Sequence, residues 1–550
     1  MLPFSAHPLW RKESLVLLAI LGTLIGPFLL KPQDSTAPAR YDRRLVIVTP
    51  HHELIREEFG RAFARDWKTR TGQTVFIDWR VPGGTSEIAA MLKSEYAAAF
   101  EQRWTRELGH AWTSEIAQAF LNSKTPSEHP ARVEFLRSQT GIGVDLFFGG
   151  GAFDFQIQAD SGTLVSEAGQ GTGLKGLKQK HPGWFDEAVI PEGLSGEPFR
   201  DPQDRWCGTC LSSFGIVFNR EVLRRLGVEN DPQQWSDLAD PRLQGMVALA
   251  DPGRSSSVTK AFEMLIQQEM QKALTRLQQT SGDKPSDKIE QRAVAEGWTA
   301  GLALIQRISA NARYFSDTST KIPLDVLRGD AAAGMCIDFY GRAAEESVRR
   351  SDGTSRVGFV MPVGGTSISV DPIALLRGAP DPELATAFME FVLSEPGQRL
   401  WAYRAGMPGG PEKLALRRLP VRRDFYTPAH LQAMSDGHER PYEKASAFIY
   451  HAPWTASTFS SLRFLLRVLC VDTHEEQREA WHHLARSGFP PRATSIFHDL
   501  NAVRYDTALG SISQTLRSRD KVAETRLSRQ LGNQVRGNYQ LAAKLARQGL

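Results

Sequence analysis

Apolar residues along this chain fall into short unbroken runs, and between the runs into stripes with a helical period. Residues 45–48 (Leu-Val-Ile-Val) read as a buried strand, broken by Thr49-Pro50. From 52 to 68 the pattern turns helical and brings Leu54, Phe59, Phe63 and Trp67 near one face. Thr71-Gly72 ends that helix. A second strand at 75–79 leads through Val81-Pro82-Gly83-Gly84-Thr85-Ser86 into another helix. Strand, helix, strand, helix is the signature of a parallel, doubly wound sheet.

The alternation continues. Buried-type runs at 144–148, 214–218, 245–250, 331–337, 357–360 and 373–376 predict further strands. The last is followed by a helix at 382–393. Residues from about 96 to 140 read as a polar helical insertion, and the chain beyond about 425 as mainly helical. Long connections near Ser212 and Gly365 imply two α/β lobes with two crossings between them. The expected layout is a leader and linker at 1–41, a first lobe at 42–212 and a second at 213–364. A return to the first lobe at 365–425 and a helical C-terminal extension at 426–550 complete it. The fold class is therefore α/β, two doubly wound lobes joined by a hinge, with a helical extension. A cleft between lobes is where ligands commonly sit.

Composition sharpens the compartment more than the chemistry. The chain has 550 residues, 41% of them hydrophobic, enough for several cores. A net charge of +4 spread along the chain does not mark a nucleic-acid binder. Only the end is locally basic, with Arg519, Lys521, Arg526, Arg529, Arg536 and Lys544 against Asp520 and Glu524. This is either a solvated helix face or a contact for anionic lipid or an acidic partner. At the start, Arg11 and Lys12 precede a charge-free run at 15–30, the form of an export signal. The run is near the lower length limit for a membrane span. Ala37-Pro38-Ala39 has the form of a cleavage site, and no cysteine follows the run to carry a lipoprotein anchor. Export to the periplasm is expected, with the leader either cut or kept as an inner-membrane anchor.

Seven segments, in this order, resemble one family. They are LVIVTPHHELIREEF (45–59), DWRVPGGTSEI (78–88), VDLFFGGGAFDF (144–155), SSFGIVFNREVLRRLGV (212–228), WSDLADPRLQGMVALADPGRSSS (235–257), GDAAAGMCIDFYGR (329–342) and DPIALLRGAPDPELATAFMEFVLSEPGQRLW (371–401). The chain from about 45 to 425 resembles the extracellular solute-binding proteins of ABC importers, in their iron(III)/small-anion branch with the type II periplasmic-binding fold. The resemblance implies a non-enzymatic binder that closes on a small ligand and presents it to a membrane permease. It implies that the first strand ends at the ligand, here near His51 and His52, and that helix starts face the cleft, here Thr85, Ser86 and Ser255, Ser256, Ser257. Helix starts favour anions independently of any resemblance, through unpaired N–H groups and a partial positive charge. The bland reading of the same residues is N-capping by Thr85 and Ser255 to Ser257. Ser212 and Ser213 at the crossing, and Asp338 and Tyr340 in the second lobe, complete the candidate ligand set.

Iron(III) members of the family use adjacent tyrosines, because phenolate suits a hard cation. Here Phe339 stands in one of those places, leaving Tyr340, Asp338 and His51 as candidate metal ligands and ferric iron as one candidate cargo. A phosphorylated, phosphonate or carboxylate compound is the other. Cys207 and Cys210 are spaced for a local disulfide at the cleft rim, for two free thiols, or for a redox centre. Cys336 and Cys470 read as buried small hydrophobes. No nucleophile elbow, P-loop, dinucleotide fingerprint or HExxH helix is present, so no catalytic residue is expected. An alternative to transport is a ligand-binding sensor that signals through the C-terminal helices.

Overall fold

The computed structural model describes residues 40–281, 286–518 and 520–550. The export signal, the cleavage site and Arg519 lie outside the described residues. Among those described, no helix is long and apolar enough to cross a membrane.

The chain opens with β1 (Arg43–Val48), α1 (Glu53–Thr71), β2 (Val75–Arg80) and α2 (Thr85–Gln102). β3 (Leu146–Phe148), α3 (Ala152–Ser161), β4 (Leu164–Val165), the hairpin β5 (Gly193–Leu194) and β6 (Glu197–Pro198), and β7 (Cys207–Ser212) follow. α1 starts where His52 Nδ1 accepts from the Leu54 amide and stops at Gly72, whose φ of 75° only glycine adopts without strain. Its buried stripe is Ile55, Phe59, Phe63 and Trp67. Ile55 therefore takes the core position expected of Leu54, one residue on. Each of these side chains contributes about 1.5–3 kcal/mol by leaving water.

Past β7 the chain enters a second sheet. It runs through β8 (Phe214–Asn219), β9 (Val247–Ala250), the long helices α4 (Ser256–Ser281) and α5 (Asp287–Ala310), β10 (Ala312–Ser316), β11 (Ala333–Ile337), α6 (Asp338–Ser347) and β12 (Val357–Val360). It returns as β13 (Ser369–Leu376), α7 (Pro382–Leu393) and β14 (Leu419–Pro420). The first sheet has the order β14-β7-β13-β3-β1-β2, with β4 also on β13, and the second the order β10-β9-β11-β8-β12. In each, parallel strands (β1 with β2 and β3; β9 with β10 and β11) sit beside antiparallel ones that carry the crossings. The two crossings run side by side. Ser369 pairs with Ser212, and the Phe214 amide donates to Thr366 Oγ1 at 3.1 Å.

The extension is not a separate domain. α8 (Phe459–Leu466), α9 (His474–Arg486) and α10 (Lys521–Arg547) share one continuous hydrophobic core with β8 to β12 and the helices around them. Trp298 Nε1 donates to Val503 O at 2.9 Å, Trp481 Nε1 to Asn311 Oδ1 at 2.8 Å, and Gln306 Nε2 to the fully buried Tyr539 hydroxyl at 3.0 Å. The basic tail is thus amphipathic. Leu531, Val535, Tyr539 and Ala542 face the core, while Arg536 pairs with Glu476 and Arg547 with Glu479. Residues 433–445 pack instead on the first core.

Candidate functional site

A cavity of about 940 Å³ lies between the two sheets. Strand ends and helix starts make its walls. The starts of α1 (His51, His52), α2 (Gly84, Thr85), α3 (Gly151, Ala152), α4 (Ser255, Ser257) and α6 (Phe339, Tyr340) all line it. Five helix N-termini around one space give it a positive potential from backbone alone. Carboxylates outnumber cationic side chains around the wall: Glu197 and Glu263 pair with Lys260, Asp371 pairs with Arg418, Asp154 hydrogen-bonds Thr85, and Glu53, Glu87 and Asp317 sit in exposed positions.

Most of the residues expected from the sequence line this space: His51, His52, Thr85, Ser212, Ser255, Ser257 and Tyr340. Ser86, Ser213 and Asp338 do not. Ser86 is half-buried on α2. Ser213 turns into the second lobe, its hydroxyl on Met361 Sδ at 3.0 Å. The Ser256 side chain lies outside the described residues. Thr85 does not cap α2, because the helix takes Gly84 as N-cap and Thr85 is already its first residue. Ser255 does cap α4, accepting from the Val258 amide at 3.4 Å.

One wall is built on a cluster the sequence did not point to. Arg418, just before β14, is 3% exposed. Its Nη2 donates to Asp371 Oδ2 at 2.6 Å, and its guanidinium carbon lies 3.7 Å from the centre of the Phe339 ring. Nε and Nη1 are buried and have no hydrogen-bond partner. Two unmet donors on a buried cation cost about 1–3 kcal/mol each, more where charge is involved. An anion that reached these two nitrogens would recover that cost. Burial alone would lower the guanidinium pKa, but Asp371 and the other nearby acidic groups outweigh it and hold the pKa above its ordinary value. His51 sits beside the pair, its Nε2 3.6 Å from Asp371 Oδ2, beyond hydrogen-bonding reach. Burial against Phe148 and Trp401 lowers its pKa despite Asp371, so the imidazole is neutral. Gly149 makes room for it: a Cβ there would fall 2.4 Å from the ring.

Of the candidate metal ligands, His51 and Tyr340 line the cavity and Asp338 does not. Asp338 faces Arg342 at 3.2 Å and accepts from the Phe339 amide at 2.8 Å. Burial pushes the Tyr340 phenol up to about 12. Phe339, which stands where a second tyrosine was wanted, is the platform for Arg418. Among the described residues no group of three His, Cys, Asp or Glu side chains is placed to hold a metal ion.

The disulfide expectation is corrected. Cys207 and Cys210 are both buried, free thiols on β7. A register shift on β7 between Gly208 and Cys210 sets both cysteines opposite one face of β13, at Ile373 and Asp371, and no S–S bond joins them. Burial pushes Cys207 up to about 12 and raises Cys210 as well, so neither is a thiolate nucleophile. Cys336 and Cys470 are buried in the second core.

A second, half-buried cation lies on the other side. Lys260 Nζ is 3.1 Å from both Glu197 Oε1 and Glu263 Oε2, and 3.5 Å from the Tyr450 ring centre. Burial would lower its pKa, but the two carboxylates outweigh that and raise it. Ser367 and Tyr450 donate to the same carboxylates at 2.6 and 3.0 Å. This cluster joins β6, α4, the second crossing and the extension.

The chain is similar to several known proteins. Residues 185–428 match the family model described as bacterial extracellular solute-binding protein. An uncharacterized protein of Haemophilus influenzae is 27% identical over 267 residues, 48% of this chain and 61% of that one. The phosphoglycerate transport regulatory protein PgtC of Salmonella typhimurium is 26% identical over 192 residues, 35% of this chain and 39% of that one. The chain thus spans less than two thirds of the curated relatives it matches. Iron-bound HitA from Pseudomonas aeruginosa superposes with a TM-score of 0.44 and 15% identity, covering 77% of this chain and 98% of that one.

Proposed function

We propose that this chain, which carries a bacterial extracellular solute-binding domain with the two-lobed type II periplasmic-binding fold, is the periplasmic substrate-binding component of an ABC-type importer. It captures a small organic anion, a phosphorylated or carboxylated compound, between its lobes and presents it to the membrane permease. The observation that carries the ligand class is Arg418: a buried guanidinium with two unpartnered nitrogens, in a cavity ringed by helix starts. The name of the Salmonella relative, a phosphoglycerate transport regulatory protein, supports the same class. Tyr340, His51, Thr85, Ser212, Ser255 and Ser257 supply neutral donors around the anion.

The mechanism is hinge closure about the paired crossings at Ser212 and Ser369. A ligand that touches both lobes favours the closed form only by its preference for it. A second reading follows from the word "regulatory" in that relative's name: the closed form signals to a partner through the extension rather than delivering cargo.

A thermal-shift screen over organic phosphates, carboxylates, ferric citrate and polyamines tests the ligand class. Stabilisation by organic anions, absent in Arg418→Met, is the expected result. Stabilisation by ferric iron or polyamines alone would overturn it. Small-angle scattering with the best anion should show a more compact particle; an unchanged radius of gyration would overturn hinge closure.

A further inference from the structure

Part of the cavity wall lies outside the matched family span. Tyr450, Ala452, Ala456 and Phe459 line the cavity, and all follow residue 428. This wall is anchored to both lobes. On the first-lobe side, the Tyr450 amide donates to Ser195 O at 2.7 Å, in the β5–β6 turn. The neighbouring Gly196, at φ 82°, has no room for a side chain, since a Cβ would fall 1.9 Å from Tyr450 O. On the second-lobe side, Gln267 Nε2 donates to His451 O at 2.9 Å and to Thr455 Oγ1 at 2.7 Å. Across the cleft Phe459 meets Phe153 of α3, ring centres 4.5 Å apart.

The wall is apolar where it meets the cavity. Ala452 and Ala456 are exposed and present methyl groups, and Phe459 adds a ring. The space is also large. At about 940 Å³ it holds some thirty waters at roughly 30 Å³ each, far more than an inorganic ion needs. Volumes of about 300–1,000 Å³ are those of organic ligand sites.

From these facts we infer that the C-terminal extension is a third wall of the ligand site, and that it receives the carbon body of an organic anion whose charged group lies on Arg418. The substrate class is an organic phosphate or carboxylate with a body of several carbons, not a bare inorganic anion or metal ion. Selection among such anions by body size falls to Ala452, Ala456 and Phe459. This inference rests on the anion reading of Arg418, and its test separates the two.

The test is calorimetric titration of the full chain with inorganic phosphate, glycerol 3-phosphate and glucose 6-phosphate. Because Ala452 and Ala456 are exposed, Ala452→Trp and Ala456→Trp fill the cleft without disturbing a core. The wild type should bind at least one organic phosphate at least about tenfold more tightly than inorganic phosphate. Each Trp variant should weaken glucose 6-phosphate about tenfold or more and leave inorganic phosphate within about twofold. Arg418→Met should weaken all three. If Arg418→Met weakens binding but both Trp variants leave every probe unchanged, or weaken all equally, the third wall is refuted and the anion reading stands. If the wild type binds none of the probes, or Arg418→Met changes nothing, the anion reading fails and the third wall with it.

Discussion

The cleft holds two cations, the buried Arg418 and the half-buried Lys260, whose partners differ. Lys260 is held between Glu197 and Glu263 beneath Tyr450, and its charge is fully matched within the protein. Arg418 has one carboxylate partner and leaves two nitrogens, Nε and Nη1, unmet. The first cluster fastens three parts of the chain to one another; the second is incomplete until something enters. A buried charge is thus not a binding site by itself. The donors left over decide. Lysine, a compact charge, is satisfied by two carboxylates and a ring face, whereas the guanidinium fork offers more donors than Asp371 can take.

The extension sets the widest difference between these two readings, since it belongs to the Lys260 side. Ending the chain after Phe425 strips the second core of Trp454, Trp481, Phe497 and Tyr539. The second lobe should then fail to fold, seen as lost helical circular dichroism and rapid proteolysis. A truncated chain that folds and still binds anion would break the account of a shared core and favour the sensor reading. Lys260→Ala comes next. It leaves two carboxylates buried and unpaired, at a cost of about 3–5 kcal/mol in urea unfolding. Arg418→Met combined with Asp371→Asn removes both members of the open pair and should cost under about 2 kcal/mol, because the donors it deletes were already unmet, while abolishing binding. Equal stability losses in the two variants would erase the contrast.

A pH effect of intermediate size tests the junction of extension and lobe. His474 and His498 meet Ser309 O and Gln306 Oε1, each at 3.2 Å. Burial, with Arg478 and Arg307 adding to it, lowers both from 6.5 to about 4. The folded state therefore holds fewer protons than the unfolded one between those values. Their contribution is complete above about pH 6.5 and falls as pH drops toward 4. Asp154, raised by burial to about 6, acts in the opposite sense and loses its contribution as pH rises toward that value. Replacing both histidines by Gln should flatten the acid limb of urea stability against pH; an unchanged limb would contradict the assignment. The smallest effect is expected at Cys207 and Cys210. Changing both to Ala should leave affinity within about twofold and reducing agents without effect on the wild type.

The elements that position the cleft were legible because they are local. The run at 45–48, the stripe through Phe59, Phe63 and Trp67, and the glycine stop at 72 carry their own signals. β7 and β10 were not legible. Cys-Gly-Thr-Cys-Leu-Ser has no β-branched run, and becomes a strand because β13 and β14 pair with it on either side. Arg418 reads as one of several arginines at 417–423, the pattern of a solvated surface, and only its tertiary meeting with Asp371 and Phe339 distinguishes it. The helices of the extension could be read, but a periodic face does not say which core it joins. The third wall follows from that joining.

The central claim is that the cleft holds an organic anion through Arg418. Native mass spectrometry of the full chain purified from its own host, wild type beside Arg418→Met, tests it without assuming which anion. The account predicts a co-purified phosphorylated or carboxylated compound on the wild type that the variant lacks. Bound iron, a cationic solute, or equal retention by both proteins would contradict it.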